Sequence, residues 1–265
     1  MNHLPASLKS MAAFAGMLLI AVLQGCATAP ADNSAAVLRP IDPYERFNRT
    51  IFTFNENLDR TVVKPVASTY RDITPAPIRK GVTNFFGNIS DMLSFLNTAL
   101  QLKPAEATDN LFRVTVNTFW GIGGIFDVAS EMNIPRHSED FGQTLGYWGI
   151  KSGPYLVLPA LGPSTLRDSF GRLVDVAVDP VSSLGNVAGR NSLTGLRLVD
   201  TRANFLSAGD VLDQAALDKY TFSREIYLQR RRALIGSDTQ EKEERYDLPE
   251  SASPADAPAK PAPPQ

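Results

Sequence analysis

Residues 140–168 have the sequence DFGQTLGYWGIKSGPYLVLPALGPSTLRD, in which glycine or proline recurs every few positions. Because glycine and proline both disfavour regular helix, this spacing excludes one long helix across the segment. The segment is nevertheless too apolar for a solvated loop, since it carries large apolar side chains at Tyr147, Trp148, Tyr155, Leu156, Val157, Leu158 and Leu161. The sequence therefore predicts an irregular but packed centre, with a short pair of strands near residues 155–158.

The segments on either side of this centre have the apolar periodicity of helices. Before it, apolar residues recur at steps of three and four along one stripe, with Phe52 off the stripe: Tyr44, Phe47, Ile51, Phe54 and Leu58. The same spacing predicts further helices over residues 79–101, 108–120, 164–178 and 192–206, and Phe95 lies outside the apolar arc of the first of these. The predicted fold class is mainly α.

A last helix is predicted over residues 210–235. Asp210 is a suitable N-terminal cap, and Arg230–Arg232 suit a helix C-terminus before Gly236. Contact of these arginines with anionic lipid headgroups is the alternative interpretation.

The N-terminus has the pattern of a secretory signal peptide. An apolar run, Met11–Val22, follows Lys9 and is short for a bilayer span. A start-transfer helix that stays in the membrane is the alternative. The run is followed by Leu23-Gln24-Gly25-Cys26, which resembles the lipobox of bacterial lipoproteins. The resemblance implies that Cys26 carries lipid on its sulfur and amino group, and that Ala27 directs sorting to the outer membrane.

These features divide the chain into four parts. We expect a lipoprotein signal peptide over 1–25, a lipidated tether over 26–43, a helical body over 44–236 and a disordered tail over 237–265. The tail is rich in proline, alanine and acidic residues, and such a composition cannot bury enough apolar surface to fold.

Composition excludes several classes of function. The chain has one cysteine and two histidines, His3 and His137, so a cysteine-rich zinc site and a structural disulfide are excluded. The formal net charge of −2 argues against nucleic acid as a partner. We expect no cofactor.

The central segment and its flanks resemble the MlaA (VacJ) outer-membrane lipoproteins. The residues that carry the resemblance are Asp42-Pro43, Arg46-Phe47-Asn48-Arg49, Pro65-Val66-Ala67, Asn117, Gly121-Ile122-Gly123-Gly124, Asp127, Asp140-Phe141-Gly142, Gly153-Pro154-Tyr155, Leu158-Pro159, Gly162 and Arg167-Asp168. The match is close over 42–180 and looser beyond.

This resemblance implies a ring-like helical body in the inner leaflet of the outer membrane, with a central amphipathic channel. It implies that misplaced phospholipid leaves the outer leaflet through this channel and passes to a periplasmic carrier, MlaC, with trimeric porins as partners. We expect residues 121–163 to form part of the lining. The candidate channel or lipid contacts are Asn48, Arg49, Phe95, Gly123, Gly124, Phe141, Gly142, Tyr147, Gly153, Pro154, Tyr155 and Arg167.

Two other classes of function stay open from the residues. A lipid hydrolase could use His137 as a base for Ser138 or Ser164, although no Gly-x-Ser-x-Gly motif occurs in the sequence. A periplasmic scaffold lipoprotein needs none of these residues. Arg167 could orient a phosphate or form a structural pair with Asp168, and Asn48 and Arg49 have the same two interpretations. We expect no enzymatic activity.

Overall fold

The computed structural model describes residues 42–209 and 216–247. Its main helices are α1 (Glu45–Leu58), α2 (Lys64–Ile73), α3 (Ala76–Leu100), α4 (Pro104–Phe119), α5 (Val128–Glu131), α6 (Phe141–Tyr147), α7 (Leu166–Val178), α8 (Val187–Asn204) and α9 (Lys219–Asp247). Two strands, β1 (Tyr155–Leu158) and β2 (Gly162–Thr165), lie between α6 and α7. The prediction of a mainly α fold with a short strand pair is confirmed.

Helix starts differ from the predictions where proline lies in the first turn. Helix α4 begins at Pro104 rather than residue 108, and α3 begins at Ala76, directly before Pro77. Proline suits these positions because the first amides of a helix have no partner within the helix and its fixed φ is already helical. Apolar periodicity alone carries no information about this first turn.

A π-helical turn, Asp59–Val63, joins α1 to α2. Pro65 explains it, because a proline donates no hydrogen bond and its ring crowds the carbonyl four residues earlier. The helix widens before the proline, and the Lys64 amide donates to the Asp59 carbonyl, five residues back. Because this turn has one more residue than an α-helical turn, side chains after it face a different direction from the one that the periodicity of α1 would give.

The strands form an antiparallel hairpin in which Tyr155 pairs with Thr165 and Leu158 with Gly162. Tyr155 and Val157 point inward and form a buried cluster with Tyr220 of α9. Phe52 packs against this cluster from α1, with an edge contact of 5.6 Å between the ring centroids of Phe52 and Tyr220. Phe52, the aromatic residue off the predicted stripe, thus packs α1 against the cluster formed by the hairpin and α9.

Helices α6 and α7 cross at two glycines, Gly142 and Gly171. A Cβ atom at Gly171 would lie 2.4 Å from the Gly142 amide nitrogen, and backbone cannot yield as a side chain can. We expect Gly171→Ala to lower the free energy of unfolding by about 1–3 kcal/mol, the usual cost of overpacking. Thermal unfolding of purified protein measures the change.

A matched control is Gly195→Ala, in α8, where an added Cβ meets nothing within 4 Å. There alanine should raise the free energy of unfolding by about 0.5–1 kcal/mol through helix propensity. Equal effects at the two positions would contradict the assignment of a tight crossing at Gly171.

The last helix differs from its prediction at both ends, since α9 begins at Lys219 and residues 216–218 lie outside it. The prediction that it ends before Gly236 is wrong, because α9 continues to Asp247. A single glycine costs about 1 kcal/mol in a helix interior and does not by itself end a helix. The predicted cap Asp210, the lipidation site Cys26, the signal peptide and most of the tether and tail lie outside the described residues.

Candidate functional site

Helices α3 and α4 pack against each other largely through polar side chains. The buried polar residues on the two helices are Asn88, Asp91, Ser94, Asn97, Thr98, Asn110, Arg113 and Asn117. Large apolar side chains on the same helices are exposed instead: Ile78, Leu96, Leu100, Leu111, Phe112 and Phe119. A soluble helix pair has the opposite arrangement, so this part of the protein has the polarity expected of a surface that faces hydrocarbon.

Arg113 lies at the centre of the polar interior and is 1% exposed. Its Nε donates to Asp91 Oδ2 at 3.1 Å, its Nη1 to the Ile134 carbonyl at 2.7 Å and its Nη2 to Asp127 Oδ1 at 2.9 Å. Burial opposes ionisation of Asp127, but hydrogen bonds from Ser130 and Asn117 and the charge of Arg113 hold its pKa below the usual range. Arg113 therefore ties α3 and α4 to the connection between α4 and α6.

An open cleft of about 1010 Å³ lies beside this interior, between α3 and residues 120–131. Its lining is predominantly apolar and includes Ile78, Val82, Phe85, Phe86, Trp120, Ile125, Phe126, Val128 and Leu196. Lys80 and Glu131 lie among the polar lining residues. A largely apolar cleft with a few charged groups suits a ligand that is itself amphipathic.

A glycine turn shapes one wall of the cleft. Gly123 and Gly124 have φ values of +68° and +92°, a backbone conformation that residues other than glycine rarely adopt. A Cβ atom at Gly124 would lie 2.6 Å from Asn88 Cβ, so the turn approaches α3 closely. Gly123 and Gly124, two of the candidate lipid contacts, thus form the turn that leads into Ile125 and Phe126.

A second charged cluster joins α6, α7 and α9. Arg231 of α9 contacts Asp140 Oδ2 at 2.6 Å and Asp168 Oδ1 at 2.9 Å, and the Tyr227 hydroxyl donates to Asp168 Oδ2 at 2.7 Å. Arg167 Nη2 also donates to Asp168 Oδ1, at 2.8 Å. Burial alone would raise the pKa of Asp168, but the Arg231 guanidinium and the other donors hold it well below the usual range.

Asn48 supports the hairpin from α1. It is fully buried; its Nδ2 donates to the Tyr155 carbonyl at 3.1 Å and to Asp42 Oδ1 at 2.8 Å, and its Oδ1 accepts from the Val157 amide at 2.9 Å. Arg49, one residue on, pairs with Asp218 at 2.8 Å and with Glu45 at 2.8 Å. Both residues stabilise packing of α1 against the hairpin and the start of α9.

Comparison with known proteins agrees with this arrangement. The model of the MlaA lipoprotein family matches residues 40–234. The chain belongs to the MlaA lipoprotein family. The match runs from α1 into α9 and includes both charged clusters and the apolar cleft.

Relatives in the MlaA family include two proteins named intermembrane phospholipid transport system lipoprotein MlaA. The protein from Escherichia coli strain K12 is 38% identical over 79% of this chain and 82% of its own length. That from Haemophilus influenzae strain Rd is 34% identical over 84% of this chain and 89% of its own length. A similar solved structure comes from work on the structural basis for maintenance of bacterial outer membrane lipid asymmetry. It is 35% identical to this chain, with a TM-score of 0.65, and the alignment covers 73% of this chain and 98% of the solved chain.

Most of the remaining residues singled out by the MlaA resemblance lie around the hairpin and α6. Gly142 lies at the α6–α7 crossing, with Phe141 beside it donating its amide to Asp175 at 3.1 Å. The Pro154 carbonyl accepts from the Leu166 amide at 3.1 Å, after Gly153 at φ +67°. Tyr147 lies under Lys103, whose Nζ is 5.4 Å from the ring centroid. Phe95 is half-buried on α3. Contact of these residues with lipid stays a prediction.

Sequence reasoning missed the two central arginines. Arg113 lies in a helix that the sequence indicates by its apolar residues, and Arg231 lies in a basic run that the helix dipole explains. Spacing could have singled out Arg113, because Asn110, Arg113 and Asn117 recur at steps of three and four and form a polar stripe on α4. Nothing in the sequence distinguishes Arg231 from its neighbours in the run.

His137 has carboxylate partners rather than a serine. Its Nε2 lies 3.0 Å from Asp109 Oδ2, and its Nδ1 lies 3.9 Å from Glu106 Oε2. Ser164, one serine that a hydrolase could use, is buried and hydrogen-bonds with Ser169 and the Thr165 carbonyl. The described contacts therefore do not form the His137–Ser164 pair.

Two absences hold for the part of the chain that the structure describes. Within 42–209 and 216–247, no helix combines the length and the hydropathy needed to span a bilayer. The same residues contain no cluster of three or more His, Cys, Asp or Glu side chains placed to hold a metal ion.

Proposed function

We propose that this protein removes misplaced phospholipid from the outer leaflet of the outer membrane and passes it to a periplasmic carrier resembling MlaC. In this proposal the lipid anchor is at Cys26, the body lies in the inner leaflet, trimeric porins are partners, and the protein catalyses no reaction. The observation that carries the proposal is the reversed polarity of α3 and α4, which bury charged and amide side chains and expose leucine and phenylalanine.

Reversed polarity favours a place among lipid chains. Exposed apolar side chains cost free energy in water, at roughly 25 cal/mol per Å² of apolar surface. In hydrocarbon this cost disappears, whereas polar side chains there must find partners within the protein. Asp91 and Arg113 do so, which supports the inner-leaflet position of the body.

The cleft between α3 and residues 120–131 supports phospholipid as the cargo. Its volume of about 1010 Å³ is large enough to hold part of an acyl chain, and Phe85, Trp120 and Phe126 offer apolar walls. The names of the Escherichia coli and Haemophilus influenzae relatives point to the same class of cargo. A central channel and a ring-like outline stay predictions from the family resemblance.

The experiment is to purify the full-length protein in detergent and identify bound lipid by extraction and mass spectrometry. We expect intact phospholipid. Released fatty acid would support a hydrolase, and absence of both would support a scaffold; either result would contradict the proposal.

We expect Val82→Glu, which places a charge in the cleft, to lower the amount of bound phospholipid at least fivefold. Burial of an unpaired carboxylate beside an acyl chain opposes binding. Val82→Ile, which keeps the wall apolar, is the matched control and should bind as the parent does. Equal loss in both variants would show that the effect is steric and would contradict the role of apolarity.

A further inference from the structure

A second cavity, of about 730 Å³, lies between the π-helical turn and the end of α8. Unlike the apolar cleft, it is lined by charged groups of both signs together with apolar side chains. The charged lining residues are Glu56, Asp59, Arg60, Lys64, Arg202 and Lys219. Phe52, Phe205 and Ala208 supply the apolar part. Neither the family resemblance nor the relatives assign a role to this cavity.

The π-helical turn brings opposite charges to the cavity. Asp59 and Arg60 are its first two residues, and Lys64 follows it directly. Helical segments of this kind occur frequently at functional sites because the extra residue redirects side chains. Because Pro65 causes this turn, the sequence itself places these charges at the cavity.

The acidic groups of the cavity differ in how firmly they are paired. Asp59 makes a two-point contact with Arg202, at 2.7 and 2.9 Å, and is committed to that pair. Glu56 lies 3.6 Å from Lys219, and both side chains are over a third exposed. An exposed ion pair of this length contributes little to stability, so a cation on a ligand can compete with Lys219 for Glu56.

Arg60 is the complementary group for an anion. Its Nη2 donates at 2.8 Å to Asn57 Oδ1, which is a neutral amide, so among the described residues its charge is not matched by a carboxylate. A guanidinium has five donors and binds phosphate oxygens at two points. A phosphate beside Arg60 and an ammonium beside Glu56 would match the charges of these two side chains.

We propose that this cavity binds a phosphodiester headgroup that carries an ammonium, as in an ethanolamine phospholipid. The inference rests on the proposed function and deepens it by naming the headgroup class. A glycerol headgroup has no cation for Glu56 and would keep only the phosphate contact with Arg60. The apolar lining residues Phe52 and Phe205 would contact the first part of the lipid's chains.

The test measures binding of three soluble probes to the full-length protein in detergent by titration calorimetry. The probes are dihexanoyl phosphatidylethanolamine, dihexanoyl phosphatidylglycerol and inorganic phosphate. We expect the ethanolamine lipid to bind about tenfold more tightly than the glycerol lipid, and phosphate to bind more weakly than either. Phosphate as tight as the lipids would assign the cavity to a free anion and overturn the inference.

Two variants assign the preference to this cavity. Arg60→Gln should weaken both lipids about tenfold, whereas Arg71→Gln, an exposed arginine on α2 that pairs with Asp72, should leave both unchanged. Glu56→Gln should weaken only the ethanolamine lipid and so remove the preference. A preference that survives Glu56→Gln, or lipid affinity that survives Arg60→Gln, would overturn the inference.

The two proposals fail in different ways. Equal binding of the two lipids by the parent protein would remove the headgroup inference and leave phospholipid transport intact. Absence of binding by either lipid, together with no phospholipid in the extracted protein, would remove both.

Discussion

Replacing Arg113 with methionine should lower the free energy of unfolding by about 3–5 kcal/mol, the usual cost of breaking a buried ion pair. Methionine keeps much of the side-chain volume, so the loss reports charge rather than a cavity. It leaves Asp91 buried with one fewer donor and removes the bonds to Asp127 and the Ile134 carbonyl. Thermal unfolding in detergent should show a midpoint lower by roughly 10 °C for a body of this size.

Arg136 provides the matched control for Arg113. It contacts the same carboxylate, with Nε 2.8 Å from Asp91 Oδ1, but its side chain is 42% exposed. Water can replace an exposed partner, so Arg136→Gln should cost at most about 1 kcal/mol. Similar losses in the two variants would contradict the view that a buried hub at Arg113 holds α3 and α4 together.

The second large effect is expected at Arg231. Arg231→Gln removes the cation shared by Asp140 and Asp168 and should lower the free energy of unfolding by about 2–4 kcal/mol at neutral pH. We expect protease cleavage of α9 to accelerate as well, because Arg231 joins this helix to α6 and α7. Arg230→Gln, at the exposed neighbouring position, should leave both measurements unchanged.

The Arg231 cluster also predicts a pH dependence with a defined sign. Burial opposes ionisation, but the guanidinium holds the pKa of Asp140 and that of Asp168 below their ordinary values. Their contribution to stability is therefore complete above the unfolded pKa of about 3.9 and is lost as pH falls below it.

Without Arg231, both carboxylates lose their strongest pKa-lowering partner, so their pKa values rise and the ionised forms stabilise the fold less at neutral pH. The difference in midpoint between the parent and Arg231→Gln should then shrink as pH falls from 6 toward 3. A difference that stays constant over this range would contradict the electrostatic role of Arg231.

Much of the fold follows from local sequence signals. The periodicity of α1, α3, α4, α7 and α8 and the glycine and proline spacing of the centre predict helices and a hairpin close to those observed. The last helix was predicted to end too early, because Gly236 is a weak signal compared with the helix formers around it. The sequence shows Pro65, but apolar periodicity does not predict the π-helical turn before it, because that turn results from crowding by the proline ring.

The direction in which each helix faces could not be predicted. Periodicity identifies an apolar stripe but does not say whether water, protein or lipid covers it. On α1 the stripe residues Tyr44, Phe47 and Phe54 are exposed, whereas Asn48 is buried against the hairpin. Pairing of Arg113 with Asp91, or of Arg231 with Asp168, depends on tertiary contacts between segments far apart in the sequence.

The most direct test of phospholipid transport is the amount of phospholipid in the outer leaflet of cells. The strain that encodes this protein, a strain lacking it, and the lacking strain supplied with Val82→Glu or Val82→Ile are labelled with a reagent that cannot cross the outer membrane. We predict that outer-leaflet phospholipid rises without the protein, returns to the parental level with Val82→Ile and stays high with Val82→Glu. A level unchanged from the parent in the strain lacking the protein would contradict the proposed function.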